Sequence, residues 1–310
     1  MNKNSSLLAI GRSGYLYHSI RYLHDQGYTF RGIVTDEAYQ EYDIKKEDFE
    51  SLAGETGAAF FTARDLGSPS MVRWIKANRI RAAISANWRF TISPEVLGLF
   101  PCGILNFHLG NLPDYKGNAT VNWSIINGER EIRANVHRMD PELDAGDIIS
   151  RWSIPIHEET YISDIITEAE RVAPGLFEDA LEKVLADPAY YEVKGTQEGV
   201  RCYPRLPEDS QINWHDTMEQ ISRLIRASAS PYPGSFSFLN GEKIRIWKAR
   251  PWRGQTKFLA MPGHVVSVNR QAETILVACK DGLMEIQELE YSGKRVAPAS
   301  LVKSIRSRFK

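Results

Sequence analysis

The stretch that decides the fold is residues 104–147, which read ILNFHLGNLPDYKGNATVNWSIINGEREIRANVHRMDPELDAGD. Its first five residues alternate between apolar and polar, which predicts a strand with Asn106 and His108 on the same face. A loop rich in glycine, asparagine and proline follows, and an acidic turn over Leu143–Asp147 closes the stretch. An amide, an imidazole and a carboxylate can therefore meet at one sheet edge, an arrangement suited to acyl transfer.

The segments before this stretch alternate between strands and helices. A buried strand over Leu7–Ile10 precedes a helix over Gly14–Asp25, with Ser13 as the N-cap, and a second strand over Tyr28–Val34. This alternation predicts an α/β fold with a doubly wound, mostly parallel, Rossmann-like sheet that binds ligands at the carboxyl ends of its strands. The same patterns predict strands over Ala58–Phe61, Arg81–Ala86 and Cys102–Phe107, helices over Met71–Asn78, Ser93–Phe100 and Ala119–Ile126, and antiparallel strands over Ala134–Met139 and Ile148–Ile156.

Two further features of this region have competing interpretations. Gly11-Arg12-Ser13-Gly14 joins a strand to a helix and is either a tight turn or a phosphate-binding loop, although it lacks the full glycine pattern of such loops. A long helix over Ile162–Leu185 contains Pro174-Gly175, which predicts a kink or a break.

The region after residue 202 has a different pattern. Two prolines in Tyr203–Pro207 mark a boundary, so we predict a catalytic domain over residues 1–202 and a C-terminal domain over residues 203–310. An amphipathic helix is predicted over Trp214–Ala227, and Asn240-Gly241 is a strong hairpin signal. Short strands predict a small, OB-like β-barrel, with bounds at Ser235–Leu239, Lys243–Lys248, Gly263–Val268, Thr274–Ala278 and Leu283–Glu290.

The composition excludes several classes of protein. The chain of 310 residues is 43% hydrophobic and 25% charged, as is usual for soluble globular proteins, and no apolar run is long enough for a membrane span. Its first residues lack the apolar length of a secretion signal. Cys102, Cys202 and Cys279 are widely spaced, so we expect neither disulfides nor a metal cluster, and a cytoplasmic location.

The charge is distributed unevenly along the chain. Residues 201–310 hold 18 Lys and Arg against 10 Asp and Glu, a net +8, which leaves −9 for the first 200 residues. A basic domain can bind a polyanion such as tRNA. The spread of its cations along the chain favours a solvated surface, or contact between oppositely charged domains.

The motif of the opening stretch resembles that of the 10-formyltetrahydrofolate-dependent formyltransferases. Asn106-Phe107-His108, the loop Leu112-Pro113-Asp114-Tyr115-Lys116-Gly117 and the turn Asp144-Ala145-Gly146 match the family pattern in order and spacing. Gly110-Asn111 and Asn118 depart from it. Further segments resemble the sugar-nucleotide branch and its C-terminal domain, among them Asn122-Trp123, Asn127-Gly128-Glu129, His137-Arg138-Met139 and Pro231-Tyr232-Pro233-Gly234.

The resemblance implies a set of site residues. Asn106, His108 and Asp144 would be catalytic. The formyl donor, 10-formyltetrahydrofolate, would be bound by Trp88, Arg89, Phe90, Met139, Asp140 and Leu143, largely through backbone groups, and the acceptor by Lys116, Gly117, Asn118 and Asn122. No metal is expected, and His137 is interpreted as a structural strand residue.

The residue types fit transfer of a formyl group to a neutral amine. The Asn106 amide can donate to the oxygen that gains negative charge, and an imidazole such as that of His108 accepts protons near neutral pH. Asp144 can orient His108, stabilise its cation or relay a proton to the leaving nitrogen, and the sequence does not separate these roles.

The acceptor favoured by the resemblance is the primary amine of a nucleotide-diphosphate amino sugar, with no membrane partner. The alternative is methionyl-tRNA formyltransferase, with tRNA as the partner; the acidic segment over residues 39–55 disfavours it. Hydrolysis of the formyl donor, and a non-catalytic folate- or nucleotide-sugar-binding protein on the same fold, are further alternatives. Two-fold dimers are the commonest oligomers, so a homodimer is plausible.

Overall fold

Strands and helices alternate through the first two thirds of the chain in a computed structural model that describes residues 5–37, 43–255 and 257–310. Residues 39–42 of the acidic segment lie outside the described part. The elements are β1 (Ser6–Gly11), α1 (Gly14–Asp25), β2 (Thr29–Thr35), α2 (Lys46–Thr56), β3 (Ala59–Thr62), α3 (Pro69–Ala77), β4 (Ala82–Ala86), α4 (Pro94–Leu97), β5 (Ile104–Leu109), β6 (Lys116–Gly117), α5 (Thr120–Asn127), β7 (Glu131–Arg138), β8 (Ile148–Pro155), α6 (Ile162–Ala186) and β9 (Arg201–Cys202).

The central sheet contains seven of these strands, in the order β3-β2-β1-β4-β5-β7-β8. The first five run parallel, whereas β7 and β8 pair antiparallel at one edge. Central strands such as β1 and β4 are buried and apolar because helices cover both faces of a parallel sheet. The predicted α/β fold with a doubly wound, mostly parallel sheet is confirmed.

The chain divides into two compact units. The first contains Met1–Thr120, Glu131–Pro155 and Ile166–Tyr203, and therefore the whole seven-stranded sheet. The second contains Val121–Arg130, Ile156–Ile165 and Pro204–Lys310.

Helix α1 has the predicted bounds, but its N-terminus differs in detail from the prediction. Ser13 occupies the N-cap position without a side-chain capping bond, because its backbone has a φ of 128°, outside the usual N-cap range. The apolar side chains of Leu16, Ile20 and Leu23 are fully buried, as expected for one face of an amphipathic helix.

Of the predicted kink or break at Pro174-Gly175, the break is wrong, because α6 continues as one helix of 25 residues across Pro174. Proline removes one backbone donor and so leaves the carbonyl one turn earlier without its helical partner. Burial of the flanking residues outweighs that loss: Ala173 and Phe177 are fully buried on the inner face of the helix.

The second unit contains a six-stranded antiparallel sheet. Its strands follow the order β10-β11-β14-β13-β12, with β15 added beside β14. The elements are α7 (Met218–Ser228), β10 (Ser235–Leu239), β11 (Glu242–Pro251), β12 (Val265–Asn269), β13 (Thr274–Ala278), β14 (Leu283–Tyr291), β15 (Lys294–Val296) and α8 (Pro298–Leu301). The hairpin predicted at Asn240-Gly241 joins β10 to β11, with φ values of 54° and 86° that suit this dipeptide.

The last residues of the chain close this sheet into the predicted barrel. The N–H of Phe309 donates to Gly263 at 2.8 Å, beside β12, and the N–H of Lys310 donates to Phe238 of β10 at 2.9 Å. The Phe309 side chain is 1% exposed and its ring packs against Trp214 at 5.6 Å. The C-terminal segment therefore joins the two edge strands and fills the barrel core.

Helix α7 begins four residues later than predicted. Thr217 caps it, and its hydroxyl accepts from the N–H of Gln220. Trp214 lies before the helix in a turn, where its indole N–H donates to Ser237 at 2.9 Å inside the barrel. The amphipathic pattern of the sequence is the same whether Trp214 lies in the helix or in a turn before it, because in both cases its side chain enters the barrel core.

Among the helices that the structure describes, none combines the length and apolar character needed to span a membrane.

Closure of the barrel by the C-terminal segment predicts a large effect of Phe309→Ala. We expect the free energy of unfolding to fall by about 3–5 kcal/mol, since a buried aromatic ring leaves a cavity against Trp214. Urea unfolding followed by tryptophan fluorescence measures this loss. Ile305→Ala, at a side chain that is 64% exposed, is the control and should change stability little; equal effects of the two changes would contradict the closure.

Candidate active site

Sequence-distant segments of the first unit line one cavity of about 460 Å³ at the carboxyl edge of the sheet. The ends of β1 and β4, the strand β5 and the loop after β7 all contribute to it, as expected for a doubly wound sheet. Eleven residues that the sequence predicted line it: Asn106, His108, Asp144, Trp88, Arg89, Phe90, Met139, Asp140, Leu143, Gly117 and Asn118. Residues that the prediction did not include also line it, among them Arg12, His137 and Arg201.

The carboxylate of Asp144 lies at the centre of the polar side of this cavity. One oxygen, Oδ2, lies 3.5 Å from Nδ1 of His108 and accepts the N–H of Gly117 at 2.8 Å. The other, Oδ1, lies 3.4 Å from Nε2 of His137. Only 10% of the Asp144 side chain is exposed, so this negative charge depends on those three partners.

The surroundings of Asp144 keep it ionised. Burial by itself raises the pKa of a carboxyl group, but the N–H of Gly117 and the positive charges that His108 and His137 carry when protonated outweigh it and hold the pKa of Asp144 well below its usual range. The backbone of Asp144 is left-handed, with a φ of 49°, a conformation that aspartate tolerates better than most residues. The turn therefore delivers a permanent negative charge to the two imidazoles.

His137 belongs to this site, which the interpretation as a purely structural strand residue missed. It lies opposite Asn106 in the antiparallel pairing of β5 with β7, and its Nε2 is 3.1 Å from the Asn106 amide nitrogen. Its Nδ1 donates to the carbonyl of Arg138 at 3.0 Å, so Nε2 of the neutral ring accepts from Asn106. One amide hydrogen of Asn106 is thereby engaged, and the second is oriented for another acceptor. Only the register between β5 and β7 could have revealed the contact of His137 with Asn106. The apolar and polar alternation of β7 places His137 on one face of the strand but does not show which residue lies opposite it.

A second hydrogen bond fixes the ring of His108. Its Nε2 donates to the carbonyl of Tyr115 at 2.8 Å, which leaves Nδ1 as the basic nitrogen, facing Asp144. Gly110 makes this geometry accessible, because a Cβ there would lie 2.6 Å from Nε2 and 2.4 Å from the Tyr115 carbonyl oxygen. The glycine that departs from the family loop pattern thus has a steric reason.

The other half of the cavity is aromatic and apolar. Trp88 packs edge-to-face on Phe90 with ring centroids 5.2 Å apart, and both Trp88 and Met139 pack on the apolar core cluster beneath the carboxyl edge. The indole N–H of Trp88 is buried and has no hydrogen-bond partner within the described residues. Arg89 is paired with the buried carboxylate of Asp36. A flat aromatic ligand with a hydrogen-bond acceptor at its edge fits these residues.

The turn Gly11–Gly14 connects loops at the carboxyl edge of the sheet. The guanidinium of Arg12 donates to the carbonyls of Asn87 at 3.3 Å and Glu37 at 2.8 Å. It thereby ties together the loops that follow β1, β2 and β4. This agrees with the interpretation of Gly11–Gly14 as a tight turn.

Two residues predicted to bind the acceptor do not line the cavity. The ammonium of Lys116 is buried and donates to the carbonyls of Thr196, at 2.5 Å, and Glu198, at 2.7 Å. Asn122 is buried and donates to the carbonyl of Ala227 at 2.7 Å. Both side chains are engaged by backbone groups outside the cavity lining, and their contact with the acceptor stays a prediction. Over the ranges that the structure describes, no group of three or more His, Cys, Asp or Glu side chains is arranged to hold a metal ion.

Comparison with protein-family models identifies the chain. The model described as "Formyl transferase" matches residues 20–181, more than half of the chain, and that described as "Formyl transferase, C-terminal domain" matches residues 206–306. The chain belongs to the formyl transferase family. Together the two models match most of the chain, since only residues 182–205 separate the two matched regions.

Solved structures share the fold of this formyl transferase at low sequence identity. HypX from Aquifex aeolicus in complex with tetrahydrofolic acid has a TM-score of 0.62 and 17% identity over 97% of this chain, which spans only 47% of that longer protein. WlaRD, a sugar 3N-formyl transferase with dTDP and 5-N-formyl-THF, has a TM-score of 0.65 and 16% identity, covering 94% of this chain and 98% of WlaRD. The N-formyltransferase from Helicobacter canadensis, with folinic acid and dTDP-3-aminofucose, has a TM-score of 0.66 and 17% identity, covering 91% of this chain and 98% of that enzyme.

The depressed pKa of Asp144 predicts a pH-dependent loss of stability in Asp144→Asn. An ionised Asp144 stabilises the folded state above the pKa of the unfolded chain, about 4, and that contribution disappears as the pH falls through the lower folded-state pKa. We expect the variant to lose about 1.5–3 kcal/mol at neutral pH, with a gap to the native protein that narrows below about pH 4. Urea unfolding over this pH range tests it, with the exposed Asp25→Asn as control. A gap that widened in acid would refute the assigned direction.

The contact between His137 and Asn106 predicts a loss of turnover in His137→Ala. If His137 orients the Asn106 amide, kcat for formyl transfer should fall about ten- to hundredfold while both KM values change little. His137→Gln keeps an acceptor in reach of Asn106 and should recover part of the loss. Steady-state kinetics measures these values. A native kcat in His137→Ala would show that His137 has a structural role only.

Proposed function

We propose that this formyl transferase moves a formyl group from 10-formyltetrahydrofolate to the primary amine of a nucleotide-linked amino sugar. The observation that carries the proposal is the contact set of Asp144 with His108 and His137, beside Asn106, in one cavity. It provides a hydrogen-bond donor, a base and a fixed negative charge within one hydrogen-bonded cluster.

The aromatic half of the cavity supports a folate as the donor. A pterin ring is flat and carries acceptors at its edge, which matches the faces of Trp88 and Phe90 and the unpartnered indole N–H. HypX, WlaRD and the Helicobacter canadensis enzyme were solved with tetrahydrofolic acid, 5-N-formyl-THF and folinic acid, respectively. When bound, the donor supplies a formyl carbon attached to a nitrogen leaving group.

Asn106 and His108 divide the catalytic work. The free amide hydrogen of Asn106 donates to the formyl oxygen, which gains negative charge when the acceptor amine attacks; such a donor is typically worth about 3–4 kcal/mol. Nδ1 of His108 takes the proton that the attacking amine releases and returns it to the leaving nitrogen of the donor as the bond between that nitrogen and the formyl carbon breaks. Asp144 then lies beside an imidazolium, so the proton transfer creates an ion pair in a mostly buried site.

A small acceptor is supported by the relatives and by the surface of the barrel. WlaRD was solved with dTDP and the Helicobacter canadensis enzyme with dTDP-3-aminofucose. In the barrel, three of the arginines that would attract tRNA face carboxylates of β14. These pairs are Arg245 with Glu290, Arg250 with Glu285, and Arg295 with Glu288. Such a ladder leaves fewer free cations for phosphate contacts.

Turnover with a panel of acceptors tests this function. The purified protein is mixed with 10-formyltetrahydrofolate and, in separate arms, with nucleotide-linked 3-amino and 4-amino sugars, with methionyl-tRNA and without any amine. We expect tetrahydrofolate release together with a new formamide in one sugar arm only. Product with methionyl-tRNA would indicate the tRNA enzyme, and folate turnover without an amine would indicate hydrolysis.

Substitutions of the two proposed catalytic residues test the mechanism. Asn106→Ala should lower kcat about 10²- to 10³-fold and His108→Ala about 10²- to 10⁴-fold. His24→Ala, at an exposed histidine near the end of α1, is the matched control and should retain activity. Retention of the native rate by either Asn106→Ala or His108→Ala would remove that residue from the mechanism.

A further inference from the structure

Arg201 is an unassigned cation beside Asp144. It lies on β9, a two-residue strand that pairs in parallel with β6, opposite Lys116. Its Cγ would be 3.8 Å from a Cβ placed on Gly117, the residue whose N–H donates to Asp144. The side chain is exposed and lines the cavity on its polar side.

Arg201 differs from the other two arginines that line the cavity. Arg89 is paired with Asp36, and Arg12 donates to two backbone carbonyls. For Arg201 the described part of the chain provides no carboxylate partner; its guanidinium lies 5.6 Å from the ring of Tyr203, which directly follows β9. A guanidinium presents several N–H donors in a fork that matches a phosphate.

The two ends of an amino sugar attached to a nucleotide differ chemically in a way that suits the Asp144 site and Arg201. The amine of such an acceptor must reach the site of Asn106, His108 and Asp144, whereas its diphosphate is attached on the other side of the sugar ring. Arg201 lines the same cavity next to Gly117, whose N–H donates to Asp144. A group one ring away from the amine can therefore meet this guanidinium.

We propose that Arg201 binds the diphosphate of the acceptor and so sets the selectivity for nucleotide-linked over free amino sugars. This inference rests on the proposed function and adds a specific contact to it. Tyr203 supports the role by holding the guanidinium over its ring. Arg201 contacts a part of the substrate that does not react, and we assign it a contact that is equally strong in the ground state and in the transition state, which lowers the acceptor KM without changing kcat.

Kinetics of Arg201→Ala, Arg201→Lys and Tyr203→Leu test the proposal in the full-length protein. With the amino sugar nucleotide that the panel identifies, Arg201→Ala should raise the acceptor KM about tenfold or more, with kcat and the donor KM within about twofold. Arg201→Lys keeps the positive charge but loses the forked N–H donors of the guanidinium, so its acceptor KM should lie between those of the native protein and Arg201→Ala. Tyr203→Leu should raise the acceptor KM about two- to fivefold. Arg73→Ala, at an exposed arginine of α3, is the control.

Calorimetry with nucleoside diphosphates separates the phosphate contact from the rest of the acceptor. TDP, UDP and GDP serve as probes, each compared with its nucleoside. We expect Arg201→Ala to weaken the diphosphate that the native protein binds about tenfold or more and to leave nucleoside binding unchanged.

Three outcomes would overturn the inference. An acceptor KM equal to that of the native protein in Arg201→Ala would exclude the contact while the proposed function stands. A rise in the donor KM alone would assign Arg201 to the carboxylates of the folate tail. Absence of turnover by the native protein with every amino sugar nucleotide would refute the proposed function, and the inference would fall with it.

Discussion

A buried carboxylate is the constraint on which the site depends. Asp144 is almost enclosed, and an enclosed negative charge is stable only with partners that compensate for lost water. One backbone N–H and two imidazoles, which compensate the charge when they are protonated, come from three different segments. Strands β5, β6 and β7 must therefore hold their relative positions, and the left-handed turn at Asp144 must deliver the side chain between them.

The antiparallel addition of β7 to a parallel sheet is what brings these partners together. In the pairing of β5 with β7, Asn106 lies opposite His137 and His108 lies opposite Asn135. Side chains directly opposite each other on one face of a pair are close enough to interact. The register thus joins an amide, already placed beside His108 by the alternation of β5, to a second imidazole. It also determines which hydrogens of Asn106 are free, which is the feature that the proposed mechanism needs.

The cavity around this cluster has two chemically different halves, and the sheet order explains why. The end of β4 supplies Trp88 and Phe90 above an apolar core, which suits a flat aromatic ligand. The short pair of β6 with β9 supplies Gly117 and Arg201 beside Asp144, which suits a charged ligand. Asn106, His108 and Asp144 are therefore proposed to act between an aromatic folate on one side and a charged acceptor on the other.

The sequence by itself determined the elements whose local patterns are strong. The bounds of α1, β10 and β13 follow from apolar periodicity and from glycine and asparagine at the turns, because neighbours along the chain dictate these signals. It also supplied the family motif and the candidate trio of Asn106, His108 and Asp144.

Only the tertiary structure decided the features that join distant segments. His137 was predicted to be structural because a single strand does not reveal which residue its partner strand places opposite it. Lys116 and Asn122 were predicted to contact the acceptor because sequence spacing does not show that backbone carbonyls some eighty and one hundred residues away engage them. Strands of two residues, such as β6 and β9, carry no periodicity, and the carbonyls that close the barrel on Phe309 lie far away in sequence. Each of these depends on long-range pairing, which the fold creates and which no local pattern encodes.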